Sequence, residues 1–215
     1  MQRDPLQHSG RLFVIAAPSG AGKTSLVKAV CERDPNLRVS VSHTTRAKRA
    51  NEVEGRDYYF VPVERFRELV AAKAFLEHAR VFDHFYGTAR REVEATLGEG
   101  HDVILEIDWQ GARQVRAALP GVESVFILPP SRSALEERLR NRRTDSDAVI
   151  GRRLRDAVGD MSHYREFDYA VVNDRFERAV DDVLAVLRGQ GHHLRADRAA
   201  LAPLVADLLG TAAGE

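Results

Sequence analysis

The stretch Arg11–Thr24, RLFVIAAPSGAGKT, decides the fold of this 215-residue chain. Its first seven residues form an apolar run, which predicts a buried strand that ends in the Pro-Ser-Gly turn at residues 18–20. Apolar residues at helical spacing from Lys23 to Arg33 predict a helix directly after that turn. A glycine-rich turn between a buried strand and a helix, ending in Gly-Lys-Thr, is typical of a loop that binds nucleotide phosphates.

The residue types of this loop suit a phosphate ligand. Gly20 and Gly22 allow backbone N–H groups to turn towards an anion, and the following helix points its N-terminus at it. Lys23 supplies a mobile positive charge for the β- and γ-phosphates, and the Thr24 hydroxyl can ligate Mg²⁺. The usual first glycine is Ala17 here, a change that is tolerated where no positive φ is needed. The weaker alternative is a chance glycine-rich turn.

Outside this loop, short apolar runs alternate with helical patterns. Strands are predicted at 37–41, 58–61, 102–107, 124–128 and 169–172, with short strands or turns at 75–81 and 85–88. Helices are predicted at 63–72, 91–97, 110–119, 131–140, 149–163, 176–187 and 196–209. This alternation predicts an α/β protein in which helices cover both faces of a parallel sheet.

The composition is that of a soluble globular domain. Apolar residues make up 44% and charged residues 30% of the chain, which excludes a disordered protein. A formal net charge of zero disfavours binding to nucleic acid through bulk charge. The single cysteine, Cys31, cannot form an internal disulfide and fits a reducing compartment. Because the sequence has no long apolar run and no signal-peptide core, we expect a cytoplasmic protein without a membrane span.

A second set of functional residue types follows in the polar loop at 43–56 and in the aromatic run after it. Arg46, Arg49 and Tyr58 together offer two guanidinium groups and a phenol hydroxyl, which suit a phosphate monoester. A single arginine is better explained as a solvated surface charge. The cluster, however, favours an anion site.

Three residues farther along offer the groups that a guanine base requires: Glu77, Thr88 and Asp108. Carboxylates can accept hydrogen bonds from the guanine N1–H and exocyclic amine, and a Ser or Thr hydroxyl can serve its O6. Such a site rejects adenine because its buried acceptors would be left unpaired.

The segments APSGAGKT, SVSHTTR, EVEGRDYYF, FLEHA, YGT, IDWQGA, FILPPS and VVND together resemble guanylate kinase of the bacterial type. The resemblance extends from about residue 11 to residue 188. It implies a P-loop nucleoside-monophosphate-kinase fold, with a parallel sheet core flanked by helices, a GMP-binding insertion and a mobile lid. It also implies transfer of the γ-phosphoryl group of ATP to GMP, giving ADP and GDP, with Mg²⁺ as cofactor.

The resemblance divides the chain into regions. We expect a flexible extension at 1–10, a guanylate-kinase-like domain at 11–188, and a linker and helix at 189–215. Within the domain, the core is predicted at 11–42, 91–137 and 154–188, the GMP-binding region at 43–90 and the lid at 138–153. The final helix packs on its own core or, alternatively, on a neighbouring subunit. We therefore expect a monomer or a homo-oligomer.

The resemblance also implies a role for each matching residue. The GMP phosphate is held by Ser42, Arg46, Arg49, Tyr58 and Tyr86, and the base is read by Glu77, Thr88 and Asp108. Ser42 is also a candidate for the base. ATP is bound by Ala17, Pro18, Ser19, Gly20, Ala21, Gly22, Lys23, Thr24, Arg138, Arg142 and Asn173, the last at the adenine. The catalytic residues are Lys23, Arg46, Arg142 and Arg153.

The metal ligands implied are Thr24 and Glu106. Glu106 stands where the family usually has Asp, and Arg143 stands where it commonly has Gly, so the metal site and the lid depart from the family pattern. No general base is required, because a phosphate monoester is already a nucleophile near neutral pH. Catalysis then consists of alignment and charge stabilisation.

Three other functions compete with this interpretation. The first is a kinase of another nucleotide or of a sugar phosphate, which the base-reading set Glu77, Thr88 and Asp108 disfavours. The second is a non-catalytic protein-binding module, which would have lost the phosphate loop. The third is an arginine-rich RNA-binding protein, which the zero net charge disfavours. We expect ATP and GMP as partners, and neither nucleic acid nor a membrane.

Overall fold

The computed structural model describes residues 10–81, 83–141 and 147–210. In chain order, its elements are β1 (Leu12–Ala16), α1 (Lys23–Arg33), β2 (Leu37–Val39), β3 (His43–Thr44), β4 (Tyr59–Phe60), α2 (Val63–Ala71), β5 (Phe75–Val81), β6 (His84–Ala89), α3 (Arg90–Gly98), β7 (Asp102–Glu106), α4 (Trp109–Ala118), β8 (Glu123–Leu128), α5 (Arg132–Arg140), α6 (Asp147–Met161), β9 (Tyr169–Val172), α7 (Phe176–Leu187) and α8 (Ala202–Leu209). Across these ranges, no helix has both the length and the apolar character to cross a bilayer.

The larger sheet has five strands in the order β2-β7-β1-β8-β9. β2 pairs with β7 in parallel, from Leu37 opposite Asp102 to Val39 opposite Ile104. β8 pairs with β9 in parallel, from Val125 to Leu128. The apolar side chains at the centres of β1, β7, β8 and β9 are almost fully buried, as expected for parallel strands that are covered on both faces. The predicted α/β class with a parallel sheet is therefore confirmed.

A second sheet has four strands in the order β4-β3-β6-β5. β5 and β6 lie where short strands or turns were predicted and β4 lies in the predicted strand at 58–61, whereas β3 lies in the predicted polar loop. β5 and β6 make an antiparallel hairpin from Phe75 opposite Ala89 to Val81 opposite His84. Its register shifts between Phe75 and Glu77, which is a β-bulge or a similar irregularity. Such an extra residue re-aims the side chains that follow it.

Residue contacts divide the chain into two units. The first unit contains the chain up to Val14 and residues 34–122, and the second contains residues 15–33 and those from Glu123 onwards. In the first unit, α4 packs against β5. In the second, α1 packs against α7, which also covers β9. The predicted boundaries of core, GMP-binding region and lid stay predictions.

The core of the first unit includes a cluster of aromatic rings. The ring of Phe66 lies 4.7 Å from that of Phe75 and 5.5 Å from that of Phe85, measured between centroids. Phe66 projects from α2, whose other face is solvated. The rings therefore dock α2 on the hairpin formed by β5 and β6, and they support the strand that carries Glu77.

The helix predicted at 196–209 is wrong at its start, because α8 begins at Ala202. Pro203 explains the difference, since proline fits the first turn of a helix but not its interior. The backbone N–H of Ala196 instead donates to the carbonyl of Asp168, 3.0 Å away. A short 3₁₀ turn at Ala199–Leu201 then leads into α8.

The C-terminal helix packs on its own chain. Leu208 of α8 is fully buried, and α8 contacts α6 within the same unit. The Asp207 carboxylate also accepts a hydrogen bond, at 3.3 Å, from the backbone N–H of Arg132 at the start of α5. The first of the two packing alternatives is thus confirmed.

The loss of the Asp168 carboxylate should destabilise the second unit. Its Oδ2 accepts hydrogen bonds from the backbone N–H of Ser124 at 2.9 Å and from the Ser124 hydroxyl at 2.6 Å, and Ser124 is fully buried. We expect Asp168→Ala to leave these donors short of an acceptor and to lower the free energy of unfolding by about 2–3 kcal/mol. The corresponding fall in Tm, about 5 °C or more, is measurable by circular dichroism.

Asp197→Ala provides the control. Asp197 is exposed, and it directly follows Ala196, whose backbone N–H donates to the carbonyl of Asp168. Its Tm should match that of the wild type. Equal stability of the two variants would show that the Asp168–Ser124 contact contributes nothing.

Candidate functional site

The phosphate loop connects β1 to α1 in the second unit. Gly20 and Gly22 adopt φ angles of 91° and 93°, a region that favours glycine. The backbone N–H of Ala21 donates to the carbonyl of Pro18 at 3.2 Å, and that of Leu26 donates to the carbonyl of Gly22 at 3.1 Å. The first bond closes a turn within the loop, and the second is the first bond of α1.

Close neighbours add to the conformational requirement at both glycines. A Cβ at Gly20 would lie 3.0 Å from methyl groups of Leu135 and Leu139 in α5, a tight contact. A Cβ at Gly22 would lie 2.6 Å from the amide nitrogen of Asn173, which would have to move. The positive φ angles thus favour glycine at both positions, and the contact with Asn173 excludes a side chain at Gly22 in this arrangement.

Asn173 and Arg138 brace the loop through its buried residue Ala21. The Asn173 side chain is 5% exposed and donates its Nδ2 to the carbonyl of Ala21 at 2.8 Å. Arg138 donates to the same carbonyl at 3.4 Å and to the Asn173 carbonyl at 2.9 Å. The structure thus brings two of the predicted ATP residues to the phosphate loop. The predicted contact of Asn173 with adenine stays a prediction.

Arg153 reaches the same loop from α6. Its guanidinium Nη2 donates to the hydroxyl of Ser19 at 2.9 Å. Lys23 and Thr24 occupy the first two positions of α1, where the positive end of the helix dipole favours an anion. Arg142, the other predicted lid arginine, lies outside the described residues.

In the first unit, Arg46 is held by a carboxylate. Its guanidinium donates to Glu52 Oε1 at 2.5 Å and to the carbonyl of Ala47 at 2.8 Å. The hydrogen bond with Glu52 raises the pKa of Arg46, and the same bond keeps the pKa of Glu52 below its usual range. Arg46 is therefore charged, and its guanidinium is held in place by groups of the protein.

Two tyrosines complete this cluster. The guanidinium carbon of Arg46 lies 5.4 Å from the centroid of the Tyr58 ring, and the rings of Tyr58 and Tyr86 are 6.0 Å apart, edge to face. Burial raises the pKa of the Tyr58 hydroxyl, with further contributions from Tyr86 and Glu106. Tyr58 therefore keeps its proton well above neutral pH and can donate a hydrogen bond to an anion.

Arg49 and Ser42 lie at the margins of the cluster. The guanidinium of Arg49 is exposed and stands 3.9 Å from Glu52 Oε1, and its backbone N–H donates to Glu52 Oε2 at 2.8 Å. Ser42 is half-buried beside β3, and its carbonyl accepts from the backbone N–H of Tyr59 at 2.9 Å. Glu52 thus organises both arginines of the loop.

Two of the three predicted base-reading residues are buried and hydrogen-bonded to each other. Glu77 is 3% exposed and Thr88 is fully buried, and the Thr88 hydroxyl donates to Glu77 Oε1 at 2.6 Å. Asp108 is half-buried and caps α4, where its Oδ1 accepts from the backbone N–H of Gly111 at 2.9 Å. The buried Glu77 carboxylate is thus stabilised by a donor from the protein itself.

The residues that could hold a metal are few. Glu106 is the last residue of β7, and its negative charge contributes to the raised pKa of Tyr58. Within the described residues, no group of three or more His, Cys, Asp or Glu could hold a metal ion. Mg²⁺ needs no such cage, because it usually binds one or two protein oxygens together with substrate phosphates and water. The hydroxyl of Thr24 and the carboxylate of Glu106 are hard oxygen donors of the required type.

The roles of Gly111 and Gln114 could not be predicted from the residue pattern. The Gln114 side chain bonds both backbone groups of His78, which is 36 positions away in the sequence. Glu52 is part of the quoted EVEGRDYYF segment, but its partner Arg46 could not be identified from spacing. Only the folded chain brings these groups together.

Comparison with known proteins places the chain in a family. A family model described as guanylate kinase matches residues 9–190. Guanylate kinase of Methylococcus capsulatus is 56% identical over 201 residues, which cover 94% of this chain and 98% of that protein. Guanylate kinase of Pseudomonas fluorescens strain Pf0-1 is 52% identical over 206 residues, which cover 95% and 100%.

A solved structure agrees with these relatives. The crystal structure of guanylate kinase from Anaplasma phagocytophilum matches with a TM-score of 0.71 and 33% identity, covering 93% of this chain and 95% of that one. The fold, the intact phosphate loop and the sequence identity over almost the whole chain therefore all support the same family. The chain belongs to the guanylate kinase family.

Proposed function

We propose that the protein transfers the γ-phosphoryl group of ATP to GMP, giving ADP and GDP. Family membership makes it a nucleoside monophosphate kinase, a phosphotransferase that acts on ATP and GMP. The observation that carries the proposal is the presence in one chain of an intact phosphate loop and a separate set of arginine, tyrosine and buried carboxylate groups. The first suits a donor nucleotide, and the second suits a monophosphate with a guanine base.

The donor ATP would be held by the second unit. Residues Ala17–Thr24 would surround its β- and γ-phosphates. The ammonium group of Lys23 would stabilise the negative charge that develops on the transferred phosphoryl group. Arg138 and Arg153, which already contact the loop, would add positive charge, and Arg142 is the third arginine in this proposal. Asn173 would contact the adenine.

The phosphate of GMP would be held by the first unit. Arg46, Tyr58 and Tyr86 form the centre of this site, with Arg49 and Ser42 at its margins. Because Glu52 holds the Arg46 guanidinium in place, little side-chain entropy should be lost on binding. An anion can share the guanidinium, whose five N–H donors are not all used by one carboxylate.

The guanine would be read by Glu77, Thr88 and Asp108. Carboxylate oxygens accept hydrogen bonds from the N1–H and the exocyclic amine, whereas adenine presents an unprotonated N1 and no amine at C2. A buried carboxylate that has lost its donor is costly, so discrimination against AMP should be strong.

Thr24 and Glu106 are our candidate ligands for Mg²⁺, each considered separately. Thr24 occupies the position of the motif whose hydroxyl binds the ion in related loops. Glu106 is the last residue of β7, and the charge of its carboxylate raises the pKa of the Tyr58 hydroxyl. When bound, the ion would neutralise charge on the β- and γ-phosphates. The phosphate loop would orient the γ-phosphate of ATP, and Arg46, Tyr58 and Tyr86 would orient the phosphate of GMP.

We also propose a cytoplasmic location. The single cysteine, Cys31, leaves the chain without an internal disulfide, as is usual in a reducing compartment. The family relatives support a protein that acts on small molecules. We propose a monomer or a homo-oligomer.

A coupled assay for ADP release tests the proposed function. Purified protein is given ATP and Mg²⁺, and GMP, AMP, CMP and UMP are added in separate reactions. ADP release that depends on GMP alone is expected. Release that depends on another acceptor, or on none, would contradict the proposal.

Replacement of the phosphate-loop lysine should abolish turnover without unfolding the protein. We expect Lys23→Ala to lower kcat by about 100-fold or more, because it removes a charge that stabilises the transition state. Lys28→Ala is the matched control, since Lys28 lies on the same helix and is exposed, with only a long 3.9 Å ion pair to Glu32. Near-normal kcat in folded Lys23→Ala would refute the role of Lys23.

Removal of the buried carboxylate should affect one substrate only. We expect Glu77→Ala to raise the KM for GMP by about 10-fold or more and to change the KM for ATP little, because Glu77 reads the base in this proposal. Steady-state kinetics with each substrate varied in turn measure both constants. Equal effects on the two substrates would remove Glu77 from the base-reading group.

The pair formed by Arg46 and Glu52 should contribute stability that depends on pH. The pKa of Glu52 is lowered in the folded protein, so its contribution is present above the ordinary Glu pKa of about 4.3 and is lost as the pH falls through the folded value. We expect Glu52→Gln to lower Tm most near neutral pH, and the difference from wild type to close below about pH 4.

The exposed pair Arg90–Glu94, 3.8 Å apart, provides the control for this experiment. Glu94→Gln should change Tm little at any pH, because exposed ion pairs contribute little. A constant difference between Glu52→Gln and wild type across the whole range would contradict the linkage.

A further inference from the structure

Helix α4 holds the strand that carries Glu77 through two residues outside the proposed site. Gly111 lies at the third position of α4, and Gln114 lies one turn farther along. Both face β5, against which α4 packs. Neither residue has a group that a nucleotide requires, so their contribution can act only through their neighbours.

The absence of a side chain at Gly111 leaves room for the carboxylate. A Cβ built on Gly111 would lie 2.5 Å from Oε2 and 3.2 Å from Cδ of Glu77, and 3.3 Å from Oδ1 of Asp108. Two of the proposed base-reading carboxylates thus converge on the α-carbon of one glycine. An alanine there would overlap Glu77 Oε2 unless the carboxylate moved away.

The Glu77 carboxylate cannot move away freely. It is 3% exposed, and its other oxygen accepts the short bond from the Thr88 hydroxyl at 2.6 Å. A shift that relieves the overlap with a Cβ must therefore break or lengthen this bond. The position of Oε2 is thus set on one side by Thr88 and on the other by the bare backbone of α4.

The backbone conformation does not require a glycine at this position. Gly111 is absent from the glycines with positive φ, and it lies within a regular helix. In the interior of a helix, alanine is more favourable than glycine by about 1 kcal/mol in helix propensity. Helix stability alone would therefore favour alanine, and what excludes it here is the space that Glu77 occupies.

Gln114 fixes the next residue of the strand. Its Oε1 accepts from the backbone N–H of His78 at 3.2 Å, and its Nε2 donates to the carbonyl of His78 at 2.7 Å. The side-chain amide thus pairs with β5 as a neighbouring strand would. The register of β5 shifts just before Glu77, so this amide clamps the strand directly after its irregularity.

We propose that Gly111 and Gln114 are positioning residues that set the specificity for guanine by fixing the Glu77 carboxylate against α4. This inference rests on the proposed function, in which Glu77 reads the base. A misplacement of about 1 Å, comparable to the shift that a Cβ at Gly111 demands, can cost on the order of 100-fold in rate. The effect should fall on GMP and not on ATP.

The test begins with Gly111→Ala in the full-length protein. We expect the KM for GMP to rise about 10-fold or more, with a KM for ATP within twofold of wild type. The Tm should stay close to that of the wild type, because the gain in helix propensity of about 1 kcal/mol offsets the cost of the disturbed hydrogen bond between Thr88 and Glu77. Gly98→Ala is the matched control, because Gly98 is also helical, has no positive φ and would place its Cβ within 4 Å of nothing. Gly98→Ala should have wild-type kinetics.

A double-mutant cycle with Glu77→Asp separates positioning from general damage. Aspartate withdraws the carboxylate by one methylene, so an alanine at position 111 no longer meets it. Gly111→Ala should therefore raise the KM for GMP less than threefold in the Glu77→Asp background. Equal fold-changes in both backgrounds would overturn the inference.

Gln114→Met removes both hydrogen bonds to His78 at nearly constant volume. We expect a rise of about threefold or more in the KM for GMP, with no change in the KM for ATP. Gln190→Met, at an exposed glutamine after α7, is the control and should behave as wild type.

The outcomes distinguish this inference from the proposed function. Wild-type protein that releases ADP with GMP, together with variants whose KM for GMP is unchanged, would overturn the inference and leave the function intact. Equal rises in the KM for GMP and ATP, or a fall in Tm that accompanies them, would also overturn it. Wild-type protein without GMP-dependent turnover would overturn both.

Discussion

The phosphate loop depends on one carbonyl oxygen, that of Ala21, which is buried and accepts hydrogen bonds from Asn173 and Arg138. A buried carbonyl without a donor would be costly, so these two side chains hold the loop in the conformation that an anion needs. Gly22 makes the contact possible, because a Cβ there would overlap the Asn173 amide. The conformation of the phosphate loop in the second unit thus depends on glycine, because only a residue without a side chain allows Asn173 to approach the backbone.

A glycine also allows a close approach to the backbone in the first unit, where Gly111 lies against Glu77. At the phosphate loop, the missing side chains expose N–H groups to a ligand, whereas at Gly111 the missing side chain admits a carboxylate. Glu77 and Thr88 are nearly or fully buried, and Arg46 is paired with Glu52. Groups that are charged, hydrogen-bonded and fixed in advance need little reorganisation on binding. Preorganisation of this kind favours specificity for one base.

Much of the fold could be predicted from the sequence because its signals are local. The buried strand, the glycine turn and the helix of residues 11–33 follow from patterns a few residues long, and the apolar runs predicted at 37–41, 102–107, 124–128 and 169–172 became strands of the parallel sheet. The second sheet was predicted only in part: β4, β5 and β6 lie in stretches predicted as strands or as short strands or turns, but β3 lies in the predicted polar loop, and the pairing of these strands depends on residues apart in sequence. Likewise, residue types identified the candidate site, but the pairing of Arg46 with Glu52 and the clamp of Gln114 on His78 depend on tertiary contacts.

The central claim is that buried acceptors select the acceptor nucleotide by its hydrogen-bond donors. The most direct measurement compares kcat/KM for GMP with that for IMP, which keeps the N1–H and O6 but lacks the exocyclic amine. The account predicts that IMP is poorer by about 100-fold or more, because one carboxylate acceptor is left unpaired, and that AMP is poorer still. Equal kcat/KM for GMP and IMP would contradict it.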